Sequence, residues 1–288
     1  MKKLLLLLLA PFVLFAKPTI AVSYPYIEAL VKSVAGDSVE VATLAKGEWD
    51  PHFVTPKPSL ITTLRKCDAL IINGAELEIG FLPPLLNRSA NKKLNSSTLD
   101  LSTKVDLIDK PELLDRIVGD VHKDGNPHFH LDPHNIPILA KAVMEFLSKL
   151  DPQNSATYER NYSEFASFWA GKLSEWDAKM ASKKGLKVIQ FHDVFAYFNN
   201  RYGIKSLDNI EPLPGLAPSS KHTMHLLDLI KNEGVEYIVH DVYHSTKTAN
   251  FLVQKTGIKL VLMPHDIASL KSIDSLVALF DHMVEALK

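Results

Sequence analysis

The chain has 288 residues, of which 32 are Lys or Arg and 33 are Asp or Glu, so its formal net charge is −1. This balance argues against a nucleic-acid partner, because binding to a phosphate backbone needs a basic surface. Cys67 is the only cysteine, which excludes an intrachain disulfide. The length suffices for one large domain or for two domains of about 130 residues each.

The first residues have the pattern of a secretory leader. Lys2 and Lys3 precede an apolar run from Leu4 to Phe15, and Ala16 follows as a small residue. This run is too short to cross a bilayer as a helix, so a membrane anchor or a buried helix is the weaker alternative. We expect residues 1–16 to be a signal peptide that directs export to a periplasm. No cysteine for lipid attachment lies near the cut, and we expect no stable membrane insertion of the remaining chain.

The remaining chain contains two halves with the same order of elements: strand, helix, glycine, strand, proline-rich loop, Ser-capped helix and strand. In the first half these lie at 18–24, 27–35, Gly36, 39–44, 45–58, 59–66 (capped by Ser59) and 69–73. In the second half they lie at 187–191, 193–202, Gly203, 211–219, 220–232 (capped by Ser220) and 237–240. The pattern does not give bounds for the strand expected between Gly203 and the proline-rich loop. Strands that alternate with helices are typical of parallel sheets. The pattern predicts an α/β fold with two related lobes.

A long helix is predicted between the two halves. Asp151-Pro152 is a typical helix start, and apolar residues then recur at steps of three and four, at Tyr162, Phe165, Trp169, Leu173, Trp176 and Met180. Such a helix would be about 40 Å long. An ordinary core helix within one domain is the alternative. We expect residues 152–184 to be a rigid strut between an N-terminal lobe (17–151) and a C-terminal lobe (185–288).

Two histidines are expected at the same edge of the predicted sheets. His52 lies in the first proline-rich loop, after a strand, and His192 directly follows the strand at 187–191. Ligands of open α/β sheets bind at the carboxyl ends of strands. Each residue alone has the ordinary interpretation of a loop histidine. We interpret His192 as occupying the matching place in the second lobe, so that both side chains meet across a cleft.

A third histidine-rich segment separates these two. Residues 126–134 read Asn-Pro-His-Phe-His-Leu-Asp-Pro-His, and in an extended chain His128, His130 and Asp132 would share one face. Packing does not explain this density, which favours metal binding. Neutral imidazoles suit Zn²⁺, Cu²⁺, Ni²⁺ or Fe²⁺.

Five motifs in register resemble the zinc/manganese receptor family of ABC importers, over nearly all of the chain after the leader. They are Trp49-Asp50-Pro51-His52, residues 126–133, residues 191–198 (Phe-His-Asp-Val-Phe-Ala-Tyr-Phe), residues 211–219 and Lys255-Thr256-Gly257. The resemblance implies two α/β lobes joined by a long rigid helix, a metal site in the cleft between the lobes and no enzymatic activity. It also implies docking of the lobes on a membrane permease served by an ATPase, and we expect the receptor to be a monomer. No GxxxxGK[ST] phosphate loop occurs in this chain, which is therefore not the ATPase itself.

The resemblance also implies a ligand set of His52, His128 and His192. Manganese-specific relatives usually have a carboxylate where His192 stands, and three imidazoles suit Zn²⁺ better than Mn²⁺. The predicted transport ligand is therefore Zn²⁺. Met263 stands where the family often has a ligating Asp, so the fourth ligand stays open between Asp266, His265 and water. His130 and His134 are interpreted as supporting or surface groups.

Three other functions remain as alternatives to a zinc receptor. A receptor for Mn²⁺ or for another metal or chelate would use the same cleft. A zinc-dependent hydrolase is suggested by His128-x-His130-x-Asp132, although Pro133 intervenes before His134, and such an enzyme needs a metal-activated water. An adhesin or structural protein that also binds zinc is the third.

Overall fold

The computed structural model describes residues 16–110, 122–213 and 215–288. The predicted signal peptide, apart from Ala16, lies outside the described residues. Within the three described stretches, no helix combines the length and the apolar character that crossing a membrane requires.

The described strands form two four-stranded sheets in which every neighbouring pair is parallel. The strands of the first sheet are β1 (Thr19–Val22), β2 (Glu40–Thr43), β3 (Ala69–Ile72) and β4 (Thr98–Asp100). Those of the second sheet are β5 (Lys187–Gln190), β6 (Lys205–Asn209), β7 (Tyr237–His240) and β8 (Lys259–Leu262). Their spatial orders are β2-β1-β3-β4 and β6-β5-β7-β8. The prediction of two related α/β lobes with parallel sheets is confirmed.

The helices follow the predicted alternation with the strands. They are α1 (Pro25–Ala35), α2 (Pro58–Lys66), α3 (Leu82–Ser89), α4 (Ile136–Leu150), α5 (Ser155–Met180), α6 (Ala196–Tyr202), α7 (Ser220–Asn232), α8 (Lys247–Thr256) and α9 (Leu276–Ala286). Two predicted glycine ends are confirmed, since Gly36 follows α1 and Gly203 follows α6. Gly203 adopts φ 66°, a left-handed conformation that glycine adopts without steric cost, and its N–H returns to the carbonyls of Asn199 and Asn200.

The two predicted serine caps are displaced by one residue or absent. Helix α2 starts at Pro58 with Lys57 before it, and no side chain caps this end, so the prediction that Ser59 is the cap is wrong. Proline at the first helical position has no N–H to satisfy and has its φ already set, so it can start the helix without a serine. In α7 the cap is Ser219, which accepts the N–H of His222, and not Ser220.

Helix α5 is the predicted long connection, extended at both ends by short 3₁₀ turns at 152–154 and 181–183. It packs against α1 and α4 of the first lobe and against α9, which follows the second sheet. Trp169 and Trp176 are fully buried within it, and their indole N–H groups donate to the carbonyl of Pro133 and to Asp281. Truncation of a buried tryptophan costs about 3–5 kcal/mol, so this seam contributes strongly to stability.

One apolar core extends through both lobes. The largest cluster of buried side chains joins residues of the first sheet, such as Ile20 and Leu70, to Phe195, Phe280 and Met283. A smaller cluster lies in the second lobe between its sheet and the helices α7 and α8. Because all strands of each sheet are parallel, their carboxyl ends share one edge, and the loops that leave this edge hold the histidines of interest.

Candidate metal centre

His52 lies in the loop 44–57, between β2 and α2. Its Nδ1 is 2.9 Å from Oδ1 of Asp50, and the same oxygen accepts the backbone N–H of His52 at 2.9 Å. Asp50 thus fixes the ring orientation and leaves Nε2 for another partner. That Nε2 is buried and has no hydrogen-bond partner among the described residues. Burial acts to raise the pKa of Asp50, but the hydrogen bonds from His52 outweigh it and lower that pKa.

His192 lies two residues after β5, and a carboxylate holds its ring in the same way. Its Nδ1 is 2.9 Å from Oε2 of Glu211, which follows β6. The other oxygen of Glu211 accepts the N–H of Gly215 at 2.8 Å. Burial acts to raise the pKa of Glu211, but the contact with His192 lowers it overall, so the group is an anion near neutral pH.

His128 stands at the start of a 3₁₀ turn, Phe129–Leu131, and is the most buried of the three, at 2% exposure. Its backbone N–H donates to Asn126, and its Nε2 is buried without a hydrogen-bond partner in the described part of the chain. Burial, followed by the neighbouring rings of His52 and His192, lowers the pKa of His128 well below the usual imidazole value. The ring is therefore neutral, which is the form that binds a metal.

The three imidazoles form one group. Ring centroids are 5.2 Å apart for His52 and His128, 5.5 Å for His52 and His192, and 6.2 Å for His128 and His192. One ring nitrogen from each lies within 4.8 Å of the other two. The structure thus brings together three of the residues that the sequence predicted as ligands, and they come from both lobes.

One prediction about this arrangement is wrong, namely that His52 and His192 follow equivalent strands in the two lobes. In the two sheets, however, β2 corresponds to β6 and β1 corresponds to β5, because these strands hold the same places in the spatial order. His52 follows β2, whereas His192 follows β5. The residue after β6 that corresponds best to the His52 loop is Glu211, the partner of His192.

Asp266 does not belong to the group of three. Its carboxylate is buried and accepts the N–H of Ile267 at 2.6 Å, and burial raises its pKa well above the usual range. His265 is also outside the group, and its Nε2 lies 3.2 Å from the carbonyl of Trp49. Met263, which the resemblance placed at the family's carboxylate position, is buried, and its N–H donates to the carbonyl of His240.

Contacts of His130, His134 and Asp132 hold the 126–134 segment in place. His130 stacks on Tyr26, with ring centroids 4.2 Å apart, and its Nε2 is 3.0 Å from the carbonyl of His265. His134 lies 3.0 Å from Asp177 of α5. Arg201 of α6 makes a bidentate pair with Asp132, at 2.7 to 3.1 Å. The segment that carries His128 is therefore tied to elements on both sides of the cleft.

A further histidine links the two lobes beside the site. His244 follows β7, and its Nδ1 is 3.0 Å from the buried Asp241. Its Nε2 lies 3.8 Å from Oδ2 of Asp50 in the other lobe. Burial acts to lower the pKa of His244, but Asp241, Asp50 and Glu211 together raise it. Sequence reasoning missed this contact.

The missed carboxylates differ in how far the sequence could have indicated them. Asp50 precedes His52 by two residues, the spacing at which an Asp side chain commonly accepts a backbone N–H. Glu211 is nineteen positions from His192 and reaches it only because β5 and β6 pair. No local signal in the sequence predicts that pairing.

Known proteins resemble the chain over most of its length. The family model described as ZnuA, the periplasmic component A of the zinc-uptake complex, matches residues 20–288. The high-affinity zinc uptake system protein ZnuA of Paracoccus denitrificans is 25% identical in an alignment 275 positions long, which covers 84% of this chain and 81% of that protein.

Two solved structures share the fold. A crystal structure of ZnuA superposes with a TM-score of 0.81 at 24% identity, and the match covers 94% of this chain and 98% of the other. A zinc-bound ZnuA from which residues 138–173 of its own chain are deleted superposes with a TM-score of 0.80 at 24% identity, covering 94% and 97%.

Proposed function

Because the chain belongs to the ZnuA family of periplasmic zinc-uptake components, we propose that it captures Zn²⁺ with the Nε2 atoms of His52, His128 and His192. The family consists of substrate-binding components of ABC-type importers, not of enzymes, and zinc is the transported ligand. The observation that carries the assignment of these residues is the pair of buried, unpartnered Nε2 atoms on His52 and His128. A buried polar atom without a partner costs about 1–3 kcal/mol, and a bound cation removes that cost.

The geometry fits a zinc ion after a small contraction. Zinc–imidazole bonds are about 2.0–2.1 Å, so the ligand atoms of a tetrahedral site lie about 3.4 Å apart. The 4.8 Å limit that encloses the three nitrogens is slightly wider. A side-chain adjustment of about an ångström brings the three nitrogens to the distances of a zinc site. The rings of His52 and His192 are already oriented for this, because carboxylates hold their Nδ1 atoms.

The donor set favours Zn²⁺ over Mn²⁺. The group contains three imidazoles and no carboxylate, and Mn²⁺ prefers oxygen ligands. Asp50 and Glu211 act instead on the far ring nitrogens, an arrangement in which a carboxylate orients a metal-bound histidine and increases its basicity.

Delivery of the ion follows from the family. We infer that the protein is exported by the leader 1–16, works as a monomer in the periplasm and docks on the membrane permease of its importer. The lobes 17–151 and 185–288 would meet that permease together, held by the linking segment 152–184.

The test is a zinc titration of the purified protein by chelator competition. His192→Ala should weaken binding by more than about 100-fold, because loss of an outer partner of a ligand alone costs about 10–100-fold. The exposed His225 is a matched control, and His225→Ala should bind as the parent does. Unchanged affinity in His192→Ala, or tighter binding of Mn²⁺ than of Zn²⁺ by the parent, would contradict the proposal.

A further inference from the structure

A fourth histidine contacts one of the three proposed ligands, His52. The ring of His122 stacks on that of His52, with centroids 5.4 Å apart and an interplanar angle of 30°. This separation falls within the range found among the three proposed ligands, which is 5.2 to 6.2 Å. His122 therefore stands as near to His52 as the proposed ligands stand to one another, although it is not part of the group of three.

His122 lines two cavities that border the group of three histidines. It lines the cavity on the side of His52, and it also lines the cavity of about 220 Å³ on the side of His128 and His192. The side chain of His122 is therefore shared by the cavity beside His52 and the cavity beside His128 and His192. Among the described residues, no other histidine outside the group of three lines either of these two cavities.

One anchor holds His122 from the side of the first sheet. The N–H of the next residue, Lys123, donates to Glu76 at 2.9 Å, and its Nζ lies 3.0 Å from the other oxygen of Glu76. Glu76 and Ala75 adopt φ of 64° and 48°, a left-handed conformation that is uncommon for residues other than glycine. Backbone of this kind costs about 1–3 kcal/mol per residue and is concentrated at functional sites. The strained turn presents Glu76 to Lys123.

A second anchor connects His122 to the segment of His128. The N–H of Gly125 donates to the carbonyl of His122 at 3.1 Å and closes a turn. Asn126 then bonds through its N–H to the carbonyl of Ile108 and through its side chain to the carbonyl of Asp193. The short connection between His122 and His128 is thus fixed at several points, so His122 is held beside the cleft.

The charges around the site suit a fourth neutral ligand. Four imidazoles leave the two positive charges of Zn²⁺ uncompensated in the inner sphere. Asp50 and Glu211, each bonded to the Nδ1 of a proposed ligand, supply two negative charges immediately outside it. A carboxylate within the inner sphere is therefore not required for neutrality, and Asp266 is engaged elsewhere.

We propose that His122 is the fourth ligand of the transported zinc, reached by rotation of its side chain when the ion binds. This inference rests on the proposed three-histidine site. Its consequence is a tetrahedral site of four imidazoles that is closed to water at the mouth of the cleft. Such a site differs from one that is completed by a water or a carboxylate oxygen.

The experiment is zinc-edge X-ray absorption on the full zinc-loaded protein, with chelator competition for affinity. The parent should show scattering from four imidazoles. His122→Gln should show three imidazoles and one oxygen, with affinity lower by about tenfold, equivalent to ~1.4 kcal/mol. His225→Gln, at an exposed position, should match the parent in both measurements.

Two outcomes would overturn the inference while the proposed function stands. One is a parent spectrum of three imidazoles and one oxygen together with unchanged affinity in His122→Gln. The other is binding of two zinc ions per chain, of which only the second is lost in His122→Gln. In both cases His192→Gln would still lose tight zinc binding. If His192→Gln bound zinc as the parent does, the three-histidine site itself would be wrong.

Discussion

The loops that follow β2 and β6 occupy the same place in the two lobes but contribute differently to the site. Loop 44–57 supplies both a proposed ligand, His52, and the carboxylate that holds it, Asp50. The loop after β6 supplies only a carboxylate, Glu211, and the corresponding ligand comes from the end of the neighbouring strand β5. The histidine–carboxylate distance is 2.9 Å in both lobes. The repeated fold fixes where the site lies, but not which element provides which half of a pair.

The two pairs also depend on different parts of the structure. The pair in the first lobe is local, because Oδ1 of Asp50 contacts Nδ1 of His52 and also accepts a hydrogen bond from the backbone N–H of the same residue. The pair in the second lobe depends on strand pairing, which continues past β6 where the N–H of Glu211 donates to the carbonyl of Phe191 at 2.9 Å. We therefore expect distortion of a sheet to disrupt the second pair more than the first.

The largest effect should come from pH, because His128 is more deeply buried than the two histidines that carboxylates hold. Protons compete with zinc for imidazole, so affinity should fall steeply as pH drops below about 6.5, the ordinary imidazole pKa. Burial lowers the pKa of His128 well below this value, so that ring stays neutral at pH values where an ordinary imidazole is protonated. In His122→Gln, which keeps three proposed histidine ligands, the magnitude of the slope of log Kd against pH should therefore stay below three. Chelator competition between pH 5 and 8 measures this slope, and a slope of three in that variant would contradict the neutral state of His128.

The next effect should come from neutralising each carboxylate. Asp50→Asn and Glu211→Gln keep the size of the side chain but remove its charge, and each should weaken zinc binding by about 10–100-fold. The lowered pKa of both groups means that they are ionised throughout the pH range of the assay, so the effect should not vary with their own titration. Asp68→Asn, at a surface ion pair with Lys93, is the control and should bind normally.

Circular dichroism distinguishes the two carboxylates further. Because the pair in the second lobe depends on long-range strand pairing, Glu211→Gln should also lower the melting temperature of the zinc-free protein more than Asp50→Asn does. An equal or opposite order would show that the local and the long-range pair do not differ in this way.

The smallest effect should come from the contact that joins the two loops across the cleft. His244, held by Asp241, faces Asp50 at 3.8 Å, so His244→Ala should weaken zinc binding by less than about tenfold, the lower bound for a direct partner of a ligand. In an Asp50→Asn background the same substitution should have no further effect, because its partner charge is gone. A double-mutant cycle measures this coupling. Additive losses would mean that His244 acts by another route.

Much of the fold was predictable because it is specified locally. Glycines end α1 and α6, and the buried stripe with Trp169 and Trp176 specifies α5. These features depend on residues within a few turns of one another. The cap of α2 was not predicted, because the proline at 58 competes with the serine beside it and sets the start of the helix.

The grouping of the three histidines was predictable from the sequence, and their surroundings were not. His128 stands in a dense histidine segment, and His52 and His192 follow strands, so motif and position indicate them. The spatial order of strands cannot be read from their order along the chain, so the correspondence between His52 and His192 was wrong. Contacts such as those of Glu211 and His244 depend on that order as well.

The shared core determines how the molecule responds to heat and to its ligand. Helix α5 contacts helices of both lobes, and one buried cluster contains residues of both sheets. Neither lobe can therefore melt without exposing the apolar surface of the other, and the two lobes should unfold cooperatively. An ion held at the seam then stabilises the whole chain, by about 2.7 kcal/mol when free zinc is 100 times its Kd. Loading with cargo and resistance to unfolding are coupled in this receptor through a single helix.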